Sequence, residues 1–334
     1  GDGIGPEVTA QAVKALEAVA LEYNHQFFYE YADVGAIAID KHNNPLPDKT
    51  LKLCKDSDAI LFGAIGDPKY DNAEGDIRPE QSLLKLRKEL ELFANVRPIK
   101  AFDTLIEKSP LKRDNIIGVD ISIYRELTGG IYFGKKGTAK NGDYAYDTCE
   151  YHVSEIERIA HLAFKAAKER RQKVTLIDKA NVLESSRLWR KTVTQLAKSY
   201  PDVALEFLYV DNATMQMILN PKQFDVILTG NMFGDIISDE ASVIGGSIGL
   251  LPSASVGKNH AMFEPIHGSY PQATGKNIAN PVAAILSAAM LLEHFNLYKE
   301  ADATKVSVEK SINVGVTTPD LGEKHANMTT SKVG

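Results

Sequence analysis

The chain has 334 residues, of which 44% are hydrophobic and 25% charged, with a net charge of −6. This is the composition of an ordinary globular protein, long enough for two domains or one large α/β domain. No long basic run is present, so nucleic acid is not an expected partner, and no apolar stretch is long enough to predict a membrane-spanning helix.

In chain order, "PEVTAQAVKALEAVALEY" opens with Pro6 at a first helical turn and carries apolar residues at helical spacing. "DAILFGAIG" (58–66) is a short apolar run ending in Gly, which predicts a buried strand. "PEQSLLKLRKELELFANVRP" (79–98) reads as a helix with Leu83, Leu84, Leu86 and Leu90 interleaved with charges. Around "DNIIGVDISIYREL" (114–127) the period changes to the alternation of a strand, and Asn141-Gly142 further on signals a hairpin. That hairpin has few large aliphatics and is expected to be an arm reaching away from the body.

Three strand–helix units follow: "KVTLIDKAN" with "SSRLWRKTVTQLAKSY", "ALEFLYVDNA" with "ATMQMILN", and "FDVILTGN" with "GNMFGDIISDEAS". Strands alternating with helices predict an α/β fold with a mostly parallel sheet, whose ligands sit beyond the carboxyl ends of the strands. At those ends stand Lys179 and Asn181, then Asp211 and Asn212, then Asn231 and Asp235. "EPIHGSYPQATGKNIANP" (264–281) is a Gly/Pro/Asn-rich loop before an apolar helix, either an ordinary surface loop or one that wraps a nucleotide.

Asp235 and Asp239 lie four residues apart, so on a helix they share one face, where like charges repel unless a cation intervenes. The pair reads either as a cap with a solvated neighbour or, with Asp211, as ligands of a hard divalent cation. An all-oxygen donor set favours Mg²⁺ or Mn²⁺ over Zn²⁺. Arg87, Arg97 and Arg125 come from separate elements. Singly each reads as a surface residue, whereas converging they would suit a small dicarboxylate. Tyr132 and Lys179 are candidate proton-transfer groups beside the ordinary readings of core tyrosine and ion-paired lysine. The opening "GDGIGPEV" is not a G-x-G-x-x-G dinucleotide fingerprint. Cys54 and Cys149 make neither a metal spacing nor a disulfide framework, which suits a reducing, cytoplasmic setting.

Taken together, "LRKELELFANVRP", "RELTGGIYFG", "DKANVLESSRLWR", "VDNATMQ", "GNMFGDIISDEAS", "GLLPSAS" and "EPIHGS" resemble the isocitrate/isopropylmalate family of β-decarboxylating dehydrogenases, over essentially the whole chain. The resemblance implies a two-domain α/β fold distinct from the Rossmann fold. One domain, residues 1–98 with 246–334, binds the cofactor, and a central domain, 99–245, carries a dimerisation arm at about 130–152. It also implies oxidative decarboxylation of 3-isopropylmalate to 4-methyl-2-oxopentanoate with reduction of NAD, in leucine synthesis, by a homodimer with shared active sites. Family members carry a strand before "GDGIGPEV", so the native protein is expected to extend before Gly1 and beyond "SKVG".

Residue by residue, the resemblance assigns Arg87, Arg97 and Arg125 to the malate carboxylates. Asp235 and Asp239 become metal ligands of one subunit and Asp211 the ligand lent by the other, also touching substrate. Tyr132 becomes the general acid, and Lys179, lent by the partner, handles the hydroxyl proton. Glu80 lies beside the nicotinamide, and Leu83, Leu84 and Val182 line the isopropyl pocket. Ile4, Glu264, His267, Gly268, Gln272 and Asn280 fall where the family wraps NAD. Gln272 departs from the acid usual in NAD enzymes, leaving the choice between NAD and NADP less constrained than the reaction. Isocitrate, homoisocitrate or tartrate as substrate would need a polar side chain where Leu83 and Leu84 stand. A non-catalytic subunit would be free to lose the acids, Tyr132 or Lys179, and all are present.

Overall fold

Apolar periodicity dictates most of the secondary structure in the computed structural model, which describes residues 1–71, 77–322 and 328–334. In chain order the elements begin with helices α1 (Gly5–Tyr23), α2 (Ala36–His42) and α3 (Asp48–Asp56), strand β1 (Ile60–Leu61) and helix α4 (Pro79–Glu89). Strands β2 (Ala94–Lys100) and β3 (Asp120–Glu126) flank the short helix α5 (Arg113–Ile116), and strands β4 (Lys136–Thr138) and β5 (Ala145–Asp147) form the hairpin. Then come α6 (Val153–Lys168), β6 (Lys173–Asp178), α7 (Glu184–Ala197), β7 (Ala204–Tyr209), α8 (Val210–Leu219), β8 (Val226–Thr229) and α9 (Asn231–Ser242). The chain closes with β9 (Pro252–Val256), β10 (Ala261–Pro265), α10 (Val282–His294), α11 (Tyr298–Asn313) and α12 (Thr330–Val333).

Two compact units result, one made of Gly1–Leu92 with Gly245–Gly334 and the other of Phe93–Ile244. In the first, β10 pairs parallel with β1 and antiparallel with β9. Val8, Ala12, Leu16 and Val19 recur along one face of α1 and pack into a cluster with Ala284, Ala288 and Leu292 of α10 and Ala301 of α11. Alanines at these contacts let the helices approach closely. A second cluster joins Leu86 and Leu90 to Leu46, Phe62 and Met262, with Leu83 packed against it.

In the second unit the strand order is β2-β3-β8-β6-β7, antiparallel at β2–β3 and parallel from β3 onward. The three strand–helix units are those the sequence predicts, and the fold is the expected α/β with a mostly parallel sheet. Helices α6 and α7 pack together, with α6 lying on β3, β8 and β6, and α8 packs with α9. Every residue of β8 is buried, as is Phe164 of α6. A side chain of that size contributes roughly 1.5–3 kcal/mol when withdrawn from water.

Two expectations need correction. The helix expected over 79–98 ends at Glu89: Glu91 takes a left-handed conformation (φ 52°) and β2 begins at Ala94. Pro98 could not have continued a helix, and its predecessor is biased to extended backbone. The division between units accordingly falls after Leu92 rather than after 98, because β2 pairs along its length with β3, from Ala94 opposite Glu126 to Lys100 opposite Asp120. The hairpin is present but short, its turn closed by Ala139 N–H to the Tyr144 carbonyl at 2.7 Å. Tyr144 and Tyr146 are exposed on it, their rings 6.0 Å apart.

Candidate active site

Because β3, β8, β6 and β7 run parallel, their carboxyl ends share one edge of the second unit's sheet. Arg125 lies near the end of β3. It is 4% exposed, and its guanidinium bonds to Asn231 and to Asp235, both on the helix following β8. Arg97, from β2, bonds through Nε to Asn95 Oδ1 at 2.7 Å and through Nη1 to Ser238 Oγ at 2.6 Å and Asp239 Oδ1 at 3.2 Å. Its Nη2 stands 3.9 Å from Asp235 Oδ1. The cation needed between the helical aspartates is therefore supplied, in the protein alone, by two arginines from neighbouring strands.

Tyr132 joins the same cluster, donating from its hydroxyl to Asp235 Oδ2 at 3.0 Å. Burial, then the adjacent Asp235 charge and this bond, raise its phenol above the ordinary value of 10, so it holds its proton across the neutral range. Arg97, Arg125, Tyr132, Asp235 and Asp239 thus share one cluster.

Asp211 does not join them. It lies in the first turn of α8 and accepts from Lys179 Nζ at 2.7 Å, a bond that lowers its carboxyl below the usual range. Among the described residues, no three His, Cys, Asp or Glu side chains cluster closely enough to hold a metal. The expected row of polar groups is therefore two clusters, one around Asp235 and one at Lys179–Asp211. Val182, 61% exposed, follows in the turn after β6. The donor chemistry at Asp235 and Asp239 still fits a hard divalent cation. Both are carboxylates one helical turn apart, and their side chains keep 35% and 67% of their surface open to solvent.

The first unit carries the remaining candidates. Arg87, on α4, pairs with Glu264 of β10 at 3.2 Å, and its Nε is shielded from water with no partner among the described residues. Glu80 is exposed in the first turn of α4, and Leu84, one turn before Arg87, is 37% exposed. Ile4 is a core side chain whose backbone N–H donates to the Ser269 carbonyl at 2.8 Å. Asn280 is buried, its Oδ1 accepting from Val282 N–H at the start of α10 and its Nδ2 donating to Asp320. Gln272 is exposed in a single 3₁₀ turn, Pro271–Ala273.

His267 gives the sharpest sign of a ligand in this unit. Its Nδ1 lies 2.9 Å from the Gly268 carbonyl, and that oxygen can only accept, so Nδ1 carries the proton. Nε2 is then a bare acceptor, shielded from water and unpartnered among the described residues. Burial lowers the ring's pKa and keeps it neutral. Open space lies beside Gly268, where an added Cβ would meet nothing within 4 Å. A cofactor offering an N–H or O–H fits this site.

Four participants were not assigned roles from sequence. Asn95 sits two residues before Arg97, on the same strand face, and that period-two spacing is the only local signal. Asn231 stands in the row of strand-end residues without an evident task. Ser238 lies on α9 between Asp235 and Asp239, its hydroxyl donating to the Asp235 carbonyl at 3.1 Å, whereas Tyr151 reaches the cluster only through a tertiary contact, accepting at its phenol oxygen from Asn231 N–H at 2.8 Å.

The model of the isocitrate/isopropylmalate dehydrogenase family matches residues 1–334. The 3-isopropylmalate dehydrogenase of Wolinella succinogenes is 55% identical over 325 residues, covering 96% of this chain and 90% of that protein. The Aquifex aeolicus enzyme of the same name is 52% identical over 96% of this chain and 89% of its own length. Among solved structures, isocitrate dehydrogenase from Methylococcus capsulatus superposes with a TM-score of 0.89 at 34% identity, covering 100% of this chain and 95% of that one. With the arginine–aspartate–tyrosine cluster in place on the same fold, this chain belongs to the isocitrate/isopropylmalate dehydrogenase family.

Proposed function

We infer that this protein is a 3-isopropylmalate dehydrogenase, converting 3-isopropylmalate to 4-methyl-2-oxopentanoate with reduction of NAD in leucine biosynthesis. The observation that carries the reading is the convergence of Arg97, Arg125 and Tyr132 on Asp235 and Asp239, in a chain about half identical to enzymes of that name. Arg87, Arg97 and Arg125 bind the two carboxylates, with Asp211 also at the substrate. Lys179 accepts the hydroxyl proton as the hydride leaves, and Tyr132 delivers a proton to the carbon that loses carbon dioxide. Asp235 and Asp239, with Asp211 of a second subunit, would hold Mg²⁺ or Mn²⁺. Such an ion stabilises the negative charge that develops on the substrate oxygen.

Glu80, Glu264, His267, Gly268, Gln272, Asn280 and the backbone at Ile4 form the NAD side of the site, within a cofactor-binding domain built from both ends of the chain. Leu83, Leu84 and Val182 take the isopropyl group. Apolar side chains there disfavour isocitrate, whose third carboxylate would be left without a partner at a cost of several kcal/mol. No described helix is long and apolar enough to cross a membrane. Free Cys54 and Cys149 support placement in the cytoplasm.

Steady-state rates with 3-isopropylmalate and isocitrate, each with NAD and NADP, test the assignment. The pair 3-isopropylmalate and NAD should give the highest kcat/KM, lost in excess chelator and restored by Mg²⁺. Faster turnover of isocitrate, or full activity in chelator, would overturn it. The homodimer is tested by subunit exchange between inactive Lys179→Ala and inactive Tyr132→Phe proteins. One site of the hybrid keeps both groups, so activity should reappear, and none after proven exchange counts against a shared site.

A further inference from the structure

Besides its ion pair with Asp235, Arg125 is held by a second, uncharged frame. Its Nε and Nη2 donate to one oxygen, Asn231 Oδ1, at 3.1 and 2.8 Å. Two donors converging on a single acceptor fix the plane of the guanidinium as well as its position. The acceptor is an uncharged amide, so it orients the buried cation without cancelling the charge that a substrate carboxylate needs. Gly234, one turn along α9, leaves room for the stem: a Cβ there would lie 2.6 Å from Arg125 Cγ.

Asn231 is itself fixed at both ends. It is 1% exposed, its Nδ2 donates to the Gly129 carbonyl at 3.2 Å, and its backbone N–H donates to the Tyr151 phenol oxygen at 2.8 Å. That N–H is among the first-turn donors that α9 cannot satisfy internally. Tyr151 reaches it through a slot made of glycine. A Cβ at Gly130 would come within 2.3 Å of the Tyr151 hydroxyl, one at Gly230 within 2.9 Å, and one at Gly129 within 2.9 Å of the ring. Trp189 closes the far side, edge-on at 5.3 Å. The two glycines before Tyr132 and the one before Asn231 are thus explained by a single inserted ring.

We propose that Asn231 is the positioning residue of Arg125, and that Tyr151, seated among Gly129, Gly130 and Gly230, sets Asn231. The inference rests on the reading of Arg125 as a substrate-carboxylate ligand. Since a carboxylate contact is made in ground and transition states alike, its loss raises KM and leaves kcat nearly unchanged.

The test compares wild type, Asn231→Ala and Tyr151→Phe, measuring KM for 3-isopropylmalate, KM for NAD, kcat and thermal melting. Hydrogen bonds to a charged group predict a rise of about 10- to 100-fold in the 3-isopropylmalate KM for Asn231→Ala. Tyr151→Phe should give a rise of about threefold or more, with kcat and the NAD constant nearly unchanged in both. In an Arg125→Lys background, Asn231→Ala should add little, since the group it positions is already gone. An unaltered substrate KM overturns the proposal, as does a parallel rise for substrate and NAD. Should Asn231→Ala fail to fold, Tyr151→Phe decides by the same criteria. Wild type that does not turn over 3-isopropylmalate would instead count against the proposed function.

Discussion

The Tyr132 hydroxyl donates to Asp235 Oδ2 at 3.0 Å, so the proposed proton donor is hydrogen-bonded to a proposed metal ligand. Asp235 is thereby tied to Tyr132, to Arg125 and, at 3.9 Å, to Arg97, which makes it the hub of the second unit's cluster.

Tyr132→Phe removes the proton donor while keeping the ring beside the Arg125 guanidinium, 5.9 Å from its centroid. Loss of one general acid predicts a fall in kcat of about 10²–10⁴-fold with a smaller change in KM. The tyrosine is 41% exposed, so melting should hardly move. A kcat within about twofold of wild type removes Tyr132 from the chemistry.

Leu83 and Leu84 are neighbours with different surroundings. Leu83 packs against the cluster containing Leu86 and Leu90, whereas Leu84 is exposed. Truncating either to Ala should narrow the preference for 3-isopropylmalate over malates with smaller alkyl groups, by up to about 1–3 kcal/mol in kcat/KM. Only Leu83→Ala should also lower stability, by up to about 2 kcal/mol, because it alone opens space beside a buried core. Unchanged preference in both variants would move the isopropyl pocket elsewhere.

Local pattern made the strand–helix units and the aspartate pair readable, because alternation and i, i+4 spacing are properties of short windows. The order of the strands is not such a property. β3 meets β8 about a hundred residues later, and nothing near "ISIY" announces "VILT" as its neighbour. The same holds for Tyr151, whose oxygen lies 80 residues from the N–H it accepts. Leu83, Leu86 and Leu90 carried the helical period past the true end of α4, where the left-handed Glu91 turns the chain toward β2. The three acids were legible as chemistry, but Asp211 is held by Lys179 on its own side of the sheet edge, and spacing gives no hint of that.

His25 Nε2 and Glu300 Oε1 are 2.7 Å apart, joining the second residue after the end of α1 to the first turn of α11. The bond to His25, followed by backbone bonding at Glu300, holds the Glu300 carboxyl below its ordinary value of 4.5. A depressed folded pKa adds stability that is fully present above the unfolded value and is lost as pH falls through the folded one. Glu300→Gln should therefore melt lower than wild type at about pH 6, with the gap closing below about pH 4. A gap that stays constant across that range would assign the effect to packing.

Gln272 lies exposed in the 3₁₀ turn Pro271–Ala273, anchored by Ala273, which is fully buried. The turn continues through Lys276 N–H to the Ala273 carbonyl at 3.1 Å, and Lys276 is exposed too. If this turn receives the adenosine ribose, an acid at 272 would accept from both hydroxyls and repel a 2′-phosphate, whereas Gln offers hydrogen bonds without repulsion. NAD should be preferred over NADP, by less than in an enzyme with an acid there. Gln272→Asp should widen the ratio of kcat/KM values toward NAD, and Gln272→Lys should shift it toward NADP by pairing with the phosphate. Because the side chain is exposed and the buried anchor is its neighbour, neither change should disturb melting, so the ratios can be compared directly. A wild-type kcat/KM higher with NADP than with NAD would show that this turn does not set cofactor choice in the way its chemistry predicts.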